Sequence, residues 1–191
     1  MGIVAFMNIR IQGFYPYKGE IKLVDIFGYT TRGIPGLEIV GLPTWSKLIR
    51  EKFIYLTRTQ NYKMPMKRYV LCVGEESIDR DLLVEQGSWL ELPLLILFWS
   101  LSGLLPIHRL EECYCSGKVS ISGRIQVYNL TQQSLNHLEH QLLLKLRCRP
   151  KLIGRRDQSN YFSLSVEELM GNLAGITFPV IPLQMAKILI R

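Results

Sequence analysis

Residues 92–107 read Leu-Pro-Leu-Leu-Ile-Leu-Phe-Trp-Ser-Leu-Ser-Gly-Leu-Leu-Pro-Ile, sixteen positions without a charge. Such a run must be removed from water, and where it goes decides what the chain can fold into. A helix that crosses a bilayer needs about 20 apolar residues. This run is shorter, borders on Glu91, and carries Pro93 and Gly103. It therefore predicts a helix over 91–104, ended by Pro106 and buried on all sides inside a soluble α+β domain. A chain of 191 residues is long enough to build that core without disulfides or metals.

The flanking sequence predicts the cover for such a helix. Residues 3–14 and 20–27 alternate as two strands joined by a turn over 15–19, Tyr-Pro-Tyr-Lys-Gly. A third strand is predicted over 37–40, between Gly33-Ile34-Pro35-Gly36 and Gly41-Leu42-Pro43. Thr44 is placed to cap a helix running to about Gln60, with Trp45, Ile49, Phe53 and Leu56 on its apolar face. On that wheel Lys47, Arg50, Lys52 and Arg58 mostly point elsewhere. A buried strand over 67–74 and a charged loop over 75–86 lead into the apolar helix. After it come a hairpin of 113–120 with 124–127, closed by Ser122-Gly123, an amphipathic helix over 131–147 striped by Leu135, Leu138, Leu142 and Leu146, and a short strand over 151–154. Beyond a polar stretch, Ser165 is placed to cap a helix over 166–173, and 184–191 begins a further helix in which the sequence ends.

The charge balance adds a candidate partner. Twenty-three Lys and Arg against sixteen Asp and Glu give a net charge of +7, and such a surface attracts polyanions, nucleic acid among them. An excess of this size also serves solubility alone, and charge by itself leaves both readings open. The densest basic run, Arg147, Arg149, Lys151, Arg155 and Arg156, is the candidate contact for a phosphate backbone; a solvated edge is its bland alternative. The four cysteines, Cys72, Cys113, Cys115 and Cys148, are too few for a disulfide scaffold, and residues 1–7 have no basic leader or cleavage site. A reducing cytoplasm is expected. Cys113 and Cys115 share one strand face, but with no second Cys or His pair at ligand spacing they read as packed thiols rather than a metal site. His108, His137 and His140 read as solvated.

Several blocks resemble one family. Residues 33–43, Gly-Ile-Pro-Gly-Leu-Glu-Ile-Val-Gly-Leu-Pro, are similar to a block of the ComM/YifB-like, magnesium-chelatase-family AAA+ ATPases. Trp89-Leu90-Glu91-Leu92-Pro93 resembles that family's aromatic-Asp-Leu-Pro entry to a central helix, with Glu91 in place of Asp. Ser100-Leu101-Ser102-Gly103 resembles the end of that helix, and residues 117–125, Gly-Lys-Val-Ser-Ile-Ser-Gly-Arg-Ile, resemble its hairpin. The blocks occur in the family's order over 1–155. The resemblance implies a Lon-protease-like fold of the ribosomal-protein-type βαβ superfamily, with a mixed sheet packed on helices. It implies a first domain over 1–155, then a linker and the start of a truncated or missing AAA+ domain over 156–191. Residues 178–191, with Gln184, Ala186 and Lys187, resemble the family's entry to that ATPase module.

A Lon-type protease needs a serine activated by a lysine. The resemblance puts Trp89 at the serine's place and Gln132 near the lysine's, with Ser88 one residue off. No phosphate-binding Gly-x-x-x-x-Gly-Lys-Ser/Thr occurs. The expectation is a non-catalytic N-terminal domain, without cofactor or metal. By resemblance it would serve ring assembly, as a hexamer, and DNA engagement in branch migration, recombination or natural transformation. Its expected partners are DNA, an AAA+ module of its own or another chain, and further copies of itself, with no membrane. A free-standing adaptor left by gene truncation and a serine peptidase using Ser88 are the alternatives.

Overall fold

In the computed structural model, residues 8–59, 61–74, 85–105, 110–111, 113–128, 130–146, 151–152 and 163–165 are described. The fold is α+β. Strands β1 (Asn8–Tyr17), β2 (Glu20–Thr31), β3 (Gly36–Val40) and β4 (Arg68–Val73) are followed by β5 (Cys113–Cys115), β6 (Gly117–Val119), β7 (Arg124–Val127), β8 (Lys151–Leu152) and β9 (Ser163–Ser165). The helices are α1 (Ser46–Thr59), α2 (Glu91–Ser102), entered through a 3-10 turn at Gly87–Leu90, and α3 (Gln132–Leu146). A six-stranded mixed sheet runs β3-β4-β2-β1-β5-β8, and a three-stranded one runs β6-β7-β9.

The β1–β2 hairpin is tighter than the sequence predicts. Tyr17 pairs with Glu20, which leaves only Lys18 and Gly19 in the turn. Both have positive φ, 45° and 81°. That combination matches the right-handed twist of the strands it joins, and glycine carries half of it without strain. The hairpin extends further than 3–14 and 20–27 in its described part, while residues 3–7 lie outside the described residues.

The apolar run forms α2, and all twelve of its residues are buried. Gly103, at φ 78°, ends the helix in the left-handed conformation, ahead of the predicted stop at Pro106, which lies outside the described residues. Pro93 sits in the first turn, where its missing N–H costs nothing. Leu90, Pro93, Leu97 and Leu101 make one stripe that lies on β1 and β2. Two strand glycines allow that approach. A Cβ at Gly13 would stand 2.8 Å from Ile26 Cδ1 and 2.9 Å from Leu90 Cδ2. At Gly28 it would stand 2.8 Å from Leu101 Cδ1 and 2.9 Å from Leu71 Cδ2.

The other sides of α2 meet α1 and β4. Phe98 stacks on Phe53 of α1 at 6.3 Å between centroids and meets Tyr69 of β4 edge-on at 5.4 Å. Ile49, Phe53 and Leu56 of α1 are buried in the same core. Thr44 does not cap α1 as predicted: the helix begins at Ser46, and Trp45, whose carbonyl accepts the Ile49 N–H, stands directly before it.

The run 113–120, predicted as one strand of a hairpin, is split at Ser116. Its first part joins the large sheet beside β1, and its second part pairs with β7 in the small one. Strand β9 pairs with β7 as well, from beyond the boundary expected at 155. On the far face of the large sheet, Leu138 and Leu142 of α3 pack on Phe14 and Tyr114, with Ile21 and Leu23 around them. The helix expected over 166–173 and the helical end expected over 184–191 lie outside the described residues. Among the described residues no helix is long and apolar enough to cross a membrane.

Leu95 is 0 % exposed in the middle of α2. Replacing it with Asp puts a carboxylate among the apolar side chains of the core. Leu95→Asp is expected to lower the unfolding free energy by several kcal/mol, on the order of 3 or more. Urea denaturation of both proteins measures the difference. A variant as stable as the parent would mean that this face of α2 meets solvent.

Candidate functional site

Glu91 opens α2 and is the one charge at the end of the apolar run. Its side chain is 2 % exposed. Lys52 Nζ, reaching from α1, lies 2.5 Å from Glu91 Oε1. The other carboxylate oxygen accepts the Val119 N–H at 2.6 Å. Lys52 also donates to the Val119 carbonyl at 2.7 Å. The three groups close a ring that ties α1, α2 and β6 together.

The geometry of β6 explains the arrangement. Ser120 N–H donates across the hairpin to Arg124 O, at 2.8 Å. Backbone groups alternate in direction along a strand, so the N–H and C=O of Val119 point to the free side of β6. Buried there, they would be costly unless paired. The carboxylate and the ammonium take the place of a neighbouring strand, one accepting and one donating. Helix α2 adds to this, because an acidic group in a first turn is favoured by the helix dipole.

Just upstream is the position where the resemblance would require a nucleophile. Trp89 holds it and is half-buried. The Lys118 ammonium lies over the indole ring, 4.4 Å from its centroid. Tyr128 meets the same ring edge-on at 4.9 Å. The Trp89 carbonyl accepts a hydrogen bond from Ser116 Oγ at 3.2 Å. Ser88 is buried beside it. The two lysines of this region are committed elsewhere, Lys52 to Glu91 and Val119, Lys118 to the Trp89 ring. Gln132 lies exposed at the start of α3, where its Nε2 donates to Asn136 Oδ1 at 2.9 Å.

The cysteine pair is part of the core. Cys113 and Cys115 are both buried among apolar side chains. Burial, and then Cys113, push the Cys115 thiol well above the ordinary thiol range. No group of three or more His, Cys, Asp or Glu that could hold a metal occurs among the described residues. His137 and His140 are exposed on α3, His137 with its Nε2 2.9 Å from Gln141 Nε2. His108 lies outside the described residues, as do Arg147, Arg149, Arg155 and Arg156 of the basic run. Lys151, its remaining member, belongs to β8 and pairs with Cys113 at one edge of the large sheet.

The sequence reading missed the Lys52–Glu91 pair. Lys52 was expected to point away from the core with the other cations of α1, whereas it points inward. Two signals were present: Lys52 directly precedes the buried Phe53, and Glu91 directly precedes a run that must be wholly buried. A buried acid calls for a buried base, but which of the surrounding cations answers is a matter of packing.

No family model matches the chain, and no curated protein matches it significantly.

Two outcomes follow from this geometry. Lys52→Met leaves the Glu91 carboxylate buried without its counter-charge, and is expected to cost about 3 kcal/mol of stability. The double variant Lys52→Met/Glu91→Leu should lose less than the sum of the two single substitutions, by at least about 1 kcal/mol. Urea titrations of the four proteins give the coupling; additive losses would mean that the two charges do not stabilise each other. The cysteines should differ in reactivity. Burial, with Glu38 nearby, raises the thiol of half-buried Cys72, and Cys115 lies higher still. Thiolate forms only as pH rises through the thiol pKa, so iodoacetamide at pH near 8 should alkylate Cys72 slowly, and Cys113 and Cys115 only after unfolding. Peptide mass mapping reads the order, and early modification of Cys115 would contradict it.

Proposed function

We propose that this chain is the non-catalytic, Lon-protease-like N-terminal domain of a ComM-like AAA+ ATPase, and that it contributes to ring assembly and DNA engagement. The observation that carries the reading is Trp89. It stands where the resemblance requires a nucleophilic serine, and its ring is covered by Lys118 and Tyr128. Neither an indole nor the Gln132 amide can perform the proton transfer that a Ser–Lys dyad depends on. The order of elements gives further support. Three strands, a helix, a strand and a buried helix come first, then three short strands, a third helix and two short strands. The order implied by the resembling blocks is the same up to the buried helix; after it, the expected hairpin strand is split in two and β9 is additional. Residues 33–43 supply β3 and the turn into α1.

On this reading the domain is a platform. Oligomerisation belongs to the AAA+ module that the family carries, and the domain adds surface to the ring. Its net charge of +7 favours a polyanion, and the run Arg147, Arg149, Lys151, Arg155 and Arg156 supplies cations next to the expected ATPase entry. Phosphate contacts of this kind position a nucleic acid without reading its sequence. One copy of five cations binds weakly, and a ring multiplies them through avidity.

The test is direct. Replacing Arg147, Arg149, Arg155 and Arg156 with Ser should weaken duplex DNA binding and flatten its dependence on salt, since fewer counterions are released. Binding indistinguishable from the parent would remove the basic run from the reading. In parallel, a serine-directed fluorophosphonate should leave the protein unlabelled. Stoichiometric labelling of Ser88 would replace the platform by a peptidase.

A further inference from the structure

At one end of the large sheet β2 stops and β3 and β4 begin. Thr31 closes β2 and Gly36 opens β3, and both pair with Arg68, the first residue of β4. The loop of residues 32–35 therefore arches over the start of β4. It lies on the Arg68 side chain: a Cβ at Gly33 would stand 3.6 Å from Arg68 Cδ. Residues 61–67 reach the same place from α1. Tyr62 and Met64 pack on the core, and the Pro65 carbonyl accepts the Tyr69 hydroxyl and the Lys67 N–H, both at 2.9 Å. Ile34 directly precedes Pro35, and Met66 directly follows Pro65. Ile34 stands two residues ahead of Gly36 and Met66 two ahead of Arg68, and Gly36 and Arg68 are partners, so both apolar residues belong to this end. They are 88 % and 83 % exposed, more than any other large apolar side chain among the described residues.

The charge of this end is one-sided. Residues 32–36 and 58–68 hold Arg32, Arg58, Lys63, Lys67 and Arg68, and no Asp or Glu. All five cations are exposed. The acid beside them is Glu38 of β3, which pairs with Arg68 at 2.5 Å. Residues 1–7 precede β1 and residues 106–109 follow α2; neither stretch contains an acid that could offset the excess. We propose that this end of the large sheet docks on an anionic lipid surface. Ile34 and Met66 enter the boundary between headgroups and acyl chains, and Arg32, Lys63, Lys67 and Arg68 meet lipid phosphates. The pairing of features names the occupant. Cations alone would suit any polyanion, but a phosphate backbone offers nothing to two apolar side chains held out in water. A bilayer offers a negative layer and, directly beneath it, an apolar one. Such a contact reaches only about 5 to 10 Å into the membrane and needs no helix that crosses it. The inference goes beyond the platform role and stands apart from it, on a surface that shares no residue with the basic run over 147–156. It differs from the expectation that the chain has no membrane partner.

The test is cosedimentation of the full chain with vesicles of phosphatidylcholine, alone or mixed with phosphatidylglycerol. The chain should sediment with the mixed vesicles and stay in the supernatant with the neutral ones. Ile34→Ser/Met66→Ser leaves every charge in place and should weaken vesicle binding about tenfold or more, because the apolar area no longer leaves water. Its melting temperature should match the parent's, since both side chains are exposed in the fold. Lys63→Ser and Lys67→Ser should each weaken binding about fivefold and flatten its dependence on salt. Neither set should alter binding to a mixed-sequence DNA duplex, which separates this inference from the DNA-engagement reading. A parent that ignores the mixed vesicles overturns the proposal, as does a double serine variant that binds them as the parent does. So does a result in which Lys63→Ser and Lys67→Ser weaken duplex binding while vesicles are not bound at all; the occupant of this end would then be nucleic acid.

Discussion

A helix with no polar face must be covered on every side, and α2 is such a helix. All twelve of its residues are buried. The large sheet covers one side, and it can approach because Gly13 and Gly28 present no side chain to the Leu90, Pro93, Leu97 and Leu101 stripe. Aromatic contacts from Phe53 and Tyr69 fill another side. Each fully buried leucine contributes about 1.5 to 3 kcal/mol. The neighbouring elements therefore take their positions from the need to enclose this one segment.

Enclosure creates a problem where the helix begins. Glu91 enters the core with the apolar residues, and an isolated buried carboxylate is not tolerated. The small sheet has the complementary difficulty, since β6 turns the N–H and C=O of Val119 away from β7. Lys52, Glu91 and Val119 satisfy one another, with contacts of 2.5, 2.6 and 2.7 Å. Such a ring gives little net stability relative to an apolar replacement, but it penalises any arrangement in which one member is missing. It thereby fixes the small sheet and α1 against the start of α2. Lys52 is occupied by this lock, and Lys118 lies over the Trp89 ring.

The large sheet divides its labour in the same economical way. Its core face is apolar, as the enclosure of α2 demands. Its other face is closed by α3 around Phe14 and Tyr114, and beyond them carries Arg10, Asp25, Phe27, Tyr29, Glu38 and Arg68 around the buried Val70. The Gln12–Asp25 side-chain hydrogen bond marks the boundary between the two zones.

Much of this could be read in the sequence. A run of sixteen uncharged residues, too short for a bilayer, can only be a buried helix or strand pair, and its length favours the helix. Alternation marked the long hairpin, and the leucine stripe marked α3, because local periodicity records which face meets the core. The sequence determined these elements and the existence of an enclosed helix. The tertiary structure alone decided the rest. It divided 113–120 between two sheets at Ser116, brought β9 back to β7, and chose Lys52, among several cations of α1, as the partner of Glu91. These outcomes depend on contacts between segments far apart in the chain, where a one-residue change of register turns a side chain from core to solvent, and no local pattern carries that register.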